Sequence, residues 1–207
     1  MDATHLLQDI RLMPVVVIED AAQALPLAET LYGAGIRAIE ITLRTEAALG
    51  AIELVASAVP QVMVGAGSIR NTEQLQQVKN AGAKFGVSPG STDTLLEAAA
   101  DFPYIPGAAT ATECMHLLEQ GYFLQKFFPA ELSGGVGRIR ALSAPLPEVR
   151  FCPTGGITPD NITQYLQCSA VACVGGSWFV PGLALEAGDF AAIGQLSREA
   201  VAMTSLL

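Results

Sequence analysis

One pattern repeats from end to end of the chain. A short apolar run closes on Gly, Pro, Ser or Thr, and a longer segment with helical spacing follows. The runs are Val15–Ile18, Ala38–Leu43, Val62–Val64, Phe85–Val87, Tyr104–Ile105, Phe123–Phe128, Val149–Cys152 and Ala170–Val174. Eight runs recur at intervals of roughly 20 to 25 residues, the length of one strand–helix unit.

Helix starts fall where this reading needs them. Asp20 with Gln23, Asn71 with Gln74, and Thr110 with Glu113 each pair an N-cap residue with a partner three positions on. Thr45 is placed to cap a helix over Glu46–Val59, and Thr158-Pro159 puts proline at a first helical position. Gly33 or Gly35, Gly82 and Gly121 mark helix ends. Eight uninterrupted units leave a closed barrel or an open doubly wound sheet. The absence of a dinucleotide GxGxxG after the first strand, and polar residues at several strand ends, favour the barrel. The expected fold is α/β: one (β/α)₈ TIM barrel over residues 1–207, with a helix at residues 3–11 covering its bottom.

Composition narrows the function. Hydrophobic residues make up 51% of the 207 and charged residues 15%, which argues for an ordered globular chain with apolar surface hidden in an oligomer. The net charge of -9, with no Lys/Arg cluster, argues against a nucleic-acid partner. An anionic small molecule stays compatible if positive groups gather in one pocket. No apolar run approaches the roughly 20 residues of a membrane span, and no signal peptide is apparent. Cys114, Cys152, Cys168 and Cys173 have no metal-type spacing, so the expectation is a cytoplasmic protein with reduced thiols and neither metal nor cofactor.

Charged residues within strands carry the chemistry. In the second strand Glu40, Thr42 and Arg44 share one face and Ile39, Ile41 and Leu43 the other. The aliphatic face suits the strand–helix interface, which turns Glu40 and Arg44 to the lumen or its rim. The chain has three lysines, and only Lys126 lies in a strand, within Phe123-Leu124-Gln125-Lys126-Phe127-Phe128-Pro129. A buried ammonium needs a partner or a shifted pKa. One reading is an ion pair with Glu40 that merely fills the lumen. The other is a nucleophilic amine, desolvated by Phe123, Phe127 and Phe128 and helped by Arg44, with a pKa lowered to roughly 7–8. An ionised Glu40 opposes that shift, unless it works through water as a proton shuttle instead of a tight partner.

Two Gly-Gly pairs, Gly155-Gly156 and Gly175-Gly176, end the last two strands, where barrel enzymes often bind phosphate. Their backbone N–H groups, the Ser177 hydroxyl and a helix N-terminus expected just after Gly176 make an anion site without lysines. Ser68 is placed to hydrogen-bond a substrate carboxylate held by Arg44, or is a turn serine. Thr154 contacts substrate or shapes its loop. His5 and His116 read as surface or interface residues, Cys152 as a small buried hydrophobe, and Trp178 as packing at the barrel end.

Six segments together resemble the 2-keto-3-deoxy-6-phosphogluconate (KDPG) aldolase / 4-hydroxy-2-oxoglutarate aldolase family of class I aldolases. They are Ile39–Thr45, Val64–Gly67, Ser88-Pro89-Gly90, Lys126–Ala130, Arg150–Ile157 and Gly175–Trp178, in order across almost the whole chain. The resemblance implies a (β/α)₈ lyase that cleaves KDPG to pyruvate and glyceraldehyde 3-phosphate, with 4-hydroxy-2-oxoglutarate as a further substrate. It implies Lys126 as the Schiff-base lysine and Glu40 as general acid/base. Arg44 and Ser68 would hold the pyruvate carboxylate, and Gly155, Gly156, Gly176 and Ser177 the phosphate. The family is usually trimeric. It commonly has Thr in place of Ser68, so the hydroxyl is kept and a methyl lost. Pro106–Thr110 also departs from its usual small-polar pattern. Two other readings share the phosphate loops: an isomerase or epimerase with Glu40 as base, and a non-catalytic phosphometabolite-binding barrel.

Overall fold

The computed structural model describes residues 1–204. Nine short strands run in parallel: β1 (Leu12–Val16), β2 (Ala38–Thr42), β3 (Met63–Gly67), β4 (Phe85–Val87), β5 (Tyr104–Ile105), β6 (Gly107–Ala108), β7 (Leu124–Phe127), β8 (Arg150–Pro153) and β9 (Val174–Gly176). Helices follow them: α1 (Ala24–Gly33), α2 (Ala48–Ala58), α3 (Thr72–Asn80), α4 (Asp93–Ala98), α5 (Ala111–Glu119), α6 (Gly135–Ser143), α7 (Ile162–Leu166), α8 (Gly182–Glu186) and α9 (Phe190–Thr204).

The strands curl into a half-barrel of two sheets, β5-β4-β3-β2-β1-β9 and β6-β7-β8, where one eight-stranded ring was expected. Proline explains one seam: Pro106 separates β5 from β6 and has no N–H to donate, although its carbonyl still accepts from Lys126 N at 2.9 Å. At the other seam β8 meets β9 through the single bridge Thr154–Gly175, below which Phe151 bridges Val171.

Two apolar layers follow from strand alternation. Ile39, Ile41, Val64, Phe127 and Phe151 face outward to the helices, in one cluster with Leu27, Leu31, Ile52 and Val55. Met13, Ala38, Phe85, Val87, Ile105, Leu124, Cys152 and Cys173 face inward in a second cluster. Ala3, Leu7 and Ile10 close the lower end of this inner cluster. The expected helix at residues 3–11 is instead a run of turns, with helical-type bonds from Leu7 N to Ala3 O and from Ile10 N to Leu7 O. Asp2 diverts the chain there, accepting hydrogen bonds from Phe123 N and Leu124 N and bridging to Tyr104. The segment covers the bottom without being a helix.

Among the caps, Thr110 and Glu113 form a full capping box, and Asn71 accepts from Gln74 N. Asp20 caps a short 3₁₀ turn, accepting from Ala22 N. Thr45 does not cap α2. Its hydroxyl donates to Ile18 O, and α2 begins only at Ala48. Pro159 lies in the turn before α7, which starts at Ile162. Gly35, Gly82 and Gly121 take positive φ just beyond helix ends, as read from the sequence.

Candidate active site

Glu40 on β2 and Lys126 on β7 come from different sheets and meet in the lumen. Lys126 Nζ donates to Glu40 Oε1 at 3.0 Å and lies 3.4 Å from Oε2. The two side chains are only 7% and 2% exposed. Their height in the lumen is set by register: Glu40 lies opposite Val15 and Gly65, and Lys126 opposite Gly107 and Cys152. Both sit above the inner apolar cluster, with the cavity overhead. The pair is direct, so the expected separation of the two groups by water is not what this geometry has.

Space for the carboxylate comes from β3. A Cβ at Gly67 would lie 2.0 Å from Glu40 Oε1, and one at Gly65 would lie 2.3 Å from the Phe85 ring. Both glycines point into the lumen, where any side chain would collide. This steric task is not one that the resemblance carried by Val64–Gly67 implies. The alternation of two glycines along one strand was the available signal.

The aromatic shell differs from expectation. Only Phe128 addresses the amine, its ring centroid 5.5 Å from Nζ. Phe127 points outward and packs edge-on against Phe151 at 5.9 Å, and Phe123 precedes the strand and is 44% exposed. Alternation sends residues 124 and 126 inward and 127 outward.

Lys126 opens onto a cavity of about 410 Å³ lined also by Arg44, Ser68, Arg70, Pro89, Phe128 and Thr154. Arg44, just beyond β2, donates from Nε to Ser68 Oγ at 3.3 Å. Ser68 adopts a left-handed φ of 61°, which aims its hydroxyl at the cavity mouth at some backbone cost. Arg70 was not singled out from the sequence, because an arginine at a helix start has no distinguishing pattern.

A second cavity of about 330 Å³ adjoins the first, sharing Val15, Arg44, Phe128 and Thr154, and continues to Gly155, Gly156, Gly176 and Ser177. Gly155 and Gly156 have φ of 100° and 80°. Among the described residues no protein acceptor takes the N–H of Gly155, Gly156 or Ser177. Successive free amides in such a turn make an anion-binding concavity. The loop is held from behind: Glu131 N donates to Gly155 O, Asn161 Nδ2 to Gly156 O, and Tyr165 Oη to Glu131 Oε1. No helix starts directly after Gly176. A turn follows, α8 begins at Gly182, and the expected dipole at Ser177 is absent. Glycine is needed at 175 and 176 for packing too, since Cβ atoms there would strike Thr154 Oγ1 and the Trp178 ring at 2.3 and 1.8 Å.

Cys152 and Cys173 lie together beneath the pair, both buried. The hydrogen bond Cys173 donates to Cys152, with burial behind it, pushes the Cys173 thiol well above the usual range. His116 is a surface residue 2.8 Å from Asp93, His5 is exposed, and Trp178 packs at the barrel end against Phe179.

Residues 3–196 match the family model described as KDPG and KHG aldolase. The chain belongs to that family. The KHG/KDPG aldolase of Escherichia coli (strain K12) is 49% identical over 191 residues, 91% of this chain and 90% of the relative. A KDPG aldolase structure from Legionella pneumophila has pyruvate captured at low pH as a covalent carbinolamine intermediate. It matches this chain with a TM-score of 0.93 and 41% identity, over 96% of this chain and 98% of that one. The 2-keto-3-deoxy-6-phosphogluconate aldolase of Zymomonas mobilis matches with a TM-score of 0.90 and 42% identity, over 97% and 96% of the two chains. Among the described residues no helix is long and apolar enough to cross a membrane.

Proposed function

We propose that this chain is a class I aldolase, a lyase that cleaves KDPG to pyruvate and glyceraldehyde 3-phosphate. It also cleaves 4-hydroxy-2-oxoglutarate to pyruvate and glyoxylate. One observation carries the reading: a buried amine in 3.0 Å contact with a carboxylate, at the floor of a cavity adjoining a second one that offers amides without a protein partner among the described residues. The names of the relatives and the carbinolamine held in the Legionella enzyme support it.

The contact answers the difficulty that an ionised Glu40 poses for a neutral lysine. A single proton passing from Nζ to Oε1 turns the ion pair into a free amine and a carboxylic acid, with no net change of buried charge. The amine attacks the C2 carbonyl of the keto acid, and the acid protonates the resulting oxygen. Loss of water from the carbinolamine leaves a protonated imine. Glu40, again a carboxylate, takes the proton of the C4 hydroxyl. The C3–C4 bond breaks, its electrons pass to the imine nitrogen, and the aldehyde leaves. The enamine regains a proton at C3 from Glu40, and hydrolysis of the imine releases pyruvate. Proton transfers of this kind contribute about 10²–10⁴ in rate each.

Arg44 and Ser68 bind the C1 carboxylate, and Thr154 lies between the two cavities, against the substrate carbon chain. Gly155, Gly156, Gly176 and Ser177 hold the phosphate. An isomerase using Glu40 as base needs no amine in contact with it, so the geometry favours the aldolase. The half-barrel sheets are arcs of one (β/α)₈ barrel forming a single domain over residues 1–207, a reading supported by the Thr154–Gly175 bridge and the Pro106 carbonyl bond across the two seams. Leu132 and Leu183, 91% and 82% exposed, support burial between subunits of a homotrimer, and four free cysteines suit the cytoplasm.

The test is borohydride reduction with pyruvate followed by peptide mapping. A stable adduct is expected on Lys126 in the wild type and none in Lys126→Ala. Glu40→Gln should still trap pyruvate but turn over at least about 100-fold more slowly. An adduct on Lys79 or Lys84, or near-normal turnover by Lys126→Ala, removes the covalent route.

A further inference from the structure

Three of the chain's 11 basic residues, Arg44, Arg70 and Lys126, line one cavity, and no Asp or Glu lines it with them. In a protein of net charge -9 that is a local reversal of sign, of the kind that concentrates an anion. Two of the three cations are already engaged. Lys126 pairs with Glu40, and Arg44 donates to Ser68. Arg70 is different: its backbone N–H donates to Gln74, but its guanidinium has no hydrogen-bond or ion-pair partner among the described residues.

Position tells which part of the substrate it serves. Arg44 lines both cavities, so its charge is shared between the keto-acid end and the phosphate cradle. Arg70 lines only the first. It stands two residues beyond Ser68, on the short connection from β3 to α3 and away from the loops after β8 and β9 that form the cradle. An arginine fork matches a carboxylate with two parallel hydrogen bonds, which a serine hydroxyl cannot supply.

We propose that Arg70 is a substrate-binding and specificity residue, its guanidinium gripping the carboxylate of the 2-keto acid beside Arg44 and Ser68. The proposal rests on the aldolase reading. The carboxylate grip is then made of two cations at the cavity mouth, only one of which is common to the phosphate end. Selectivity for a 2-keto acid over a simple ketone becomes a property of the β3–α3 connection.

The experiment measures pyruvate affinity, from the concentration dependence of borohydride trapping, in the wild type, Arg70→Gln and Arg70→Lys. Affinity for glyceraldehyde 3-phosphate is measured in the condensation direction. Arg70 is exposed and its guanidinium has no hydrogen-bond or ion-pair partner among the described residues, so neither substitution threatens the fold. Arg70→Gln should weaken pyruvate about tenfold and glyceraldehyde 3-phosphate less than twofold. Arg70→Lys should recover part of the pyruvate loss, and the difference from wild type should shrink as salt rises. Unchanged pyruvate affinity in Arg70→Gln overturns the proposal. So does an equal loss for both ligands, which is the mark of general anion attraction. A wild type that traps no pyruvate fails the aldolase reading itself, whereas trapping with unaltered affinity in the variant fails only the role of Arg70.

Discussion

The Glu40 carboxylate occupies the space that a side chain at residue 67 would fill: a Cβ built on Gly67 lies 2.0 Å from Oε1 and 2.7 Å from Cδ. Gly67 is therefore a positioning residue for the Glu40 carboxylate, the proposed acid–base group. Gly67→Ala should displace the carboxylate from Lys126 and lower kcat by about 100-fold, since displacements near 1 Å have effects of that size. Gly33→Ala, whose Cβ meets nothing within 4 Å, is the control and should keep full activity. Circular dichroism checks the fold of both. A folded Gly67→Ala with wild-type turnover would mean that the carboxylate works from elsewhere.

The tyrosine behind the amide cradle should act on one end of the substrate. Tyr165 donates to Glu131, and Glu131 N holds the Gly155 carbonyl. Burial, then the contact with Glu131, raises the phenol above its ordinary value, so the hydroxyl stays a donor throughout the working range. Tyr165→Phe should raise KM for the phosphorylated substrate by about three- to tenfold. Pyruvate has no phosphate, so its trapping should be far less affected. A matching loss for pyruvate would place the effect in the fold as a whole.

All four cysteines are free and buried. Burial pushes Cys114 up to about 11, and Cys173 lies well above the usual thiol range through its bond with Cys152 and its burial. Native protein should react sluggishly with a disulfide reagent at neutral pH, and four equivalents should titrate only after unfolding. A rapid equivalent in the native state would expose one of these sites as accessible.

Acid should weaken the capping box of α5. Burial raises Glu113, but hydrogen bonds from Ala109 N, the Thr110 hydroxyl and Thr110 N outweigh it, holding the carboxyl below its ordinary value of 4.5. A folded value below the unfolded one stabilises above about pH 4.5 and loses that contribution as pH falls through the folded value. Glu113→Gln should be less stable than wild type at neutral pH, with the gap narrowing below pH 4.5. Denaturant midpoints at pH 7 and pH 3.5 measure it, and a gap that widens in acid would reverse the sign.

Much of this was legible beforehand because period-two alternation is a local property. Ile39 and Ile41 against Glu40, and Gln125 and Phe127 against Lys126, could be sorted to opposite faces from the sequence. Strand ends were less readable. Pro14 interrupts an apolar run that pairs from Leu12 onward with β9, so β1 was expected too late, at Val15. The last strand was expected at Ala170–Val174 and lies at Val174–Gly176, where two glycines serve as strand residues only because Thr154 and Trp178 fill the space beside them. The outward turn of Phe127 obeys the same alternation although all three phenylalanines were expected around Lys126, whereas the guanidinium of Arg70, without a partner among the described residues, depends on its neighbours, and no local pattern carries it.

The proposed phosphate cradle has a chemical corollary. Its donors are main-chain amides and a hydroxyl beside an arginine, and none of these changes ionisation between acid and alkaline conditions. The pH response at that end is delegated to the ligand, whose phosphate loses its second proton near pH 6. In weak acid the grip should loosen because the guest becomes a monoanion, while the host stays as it was.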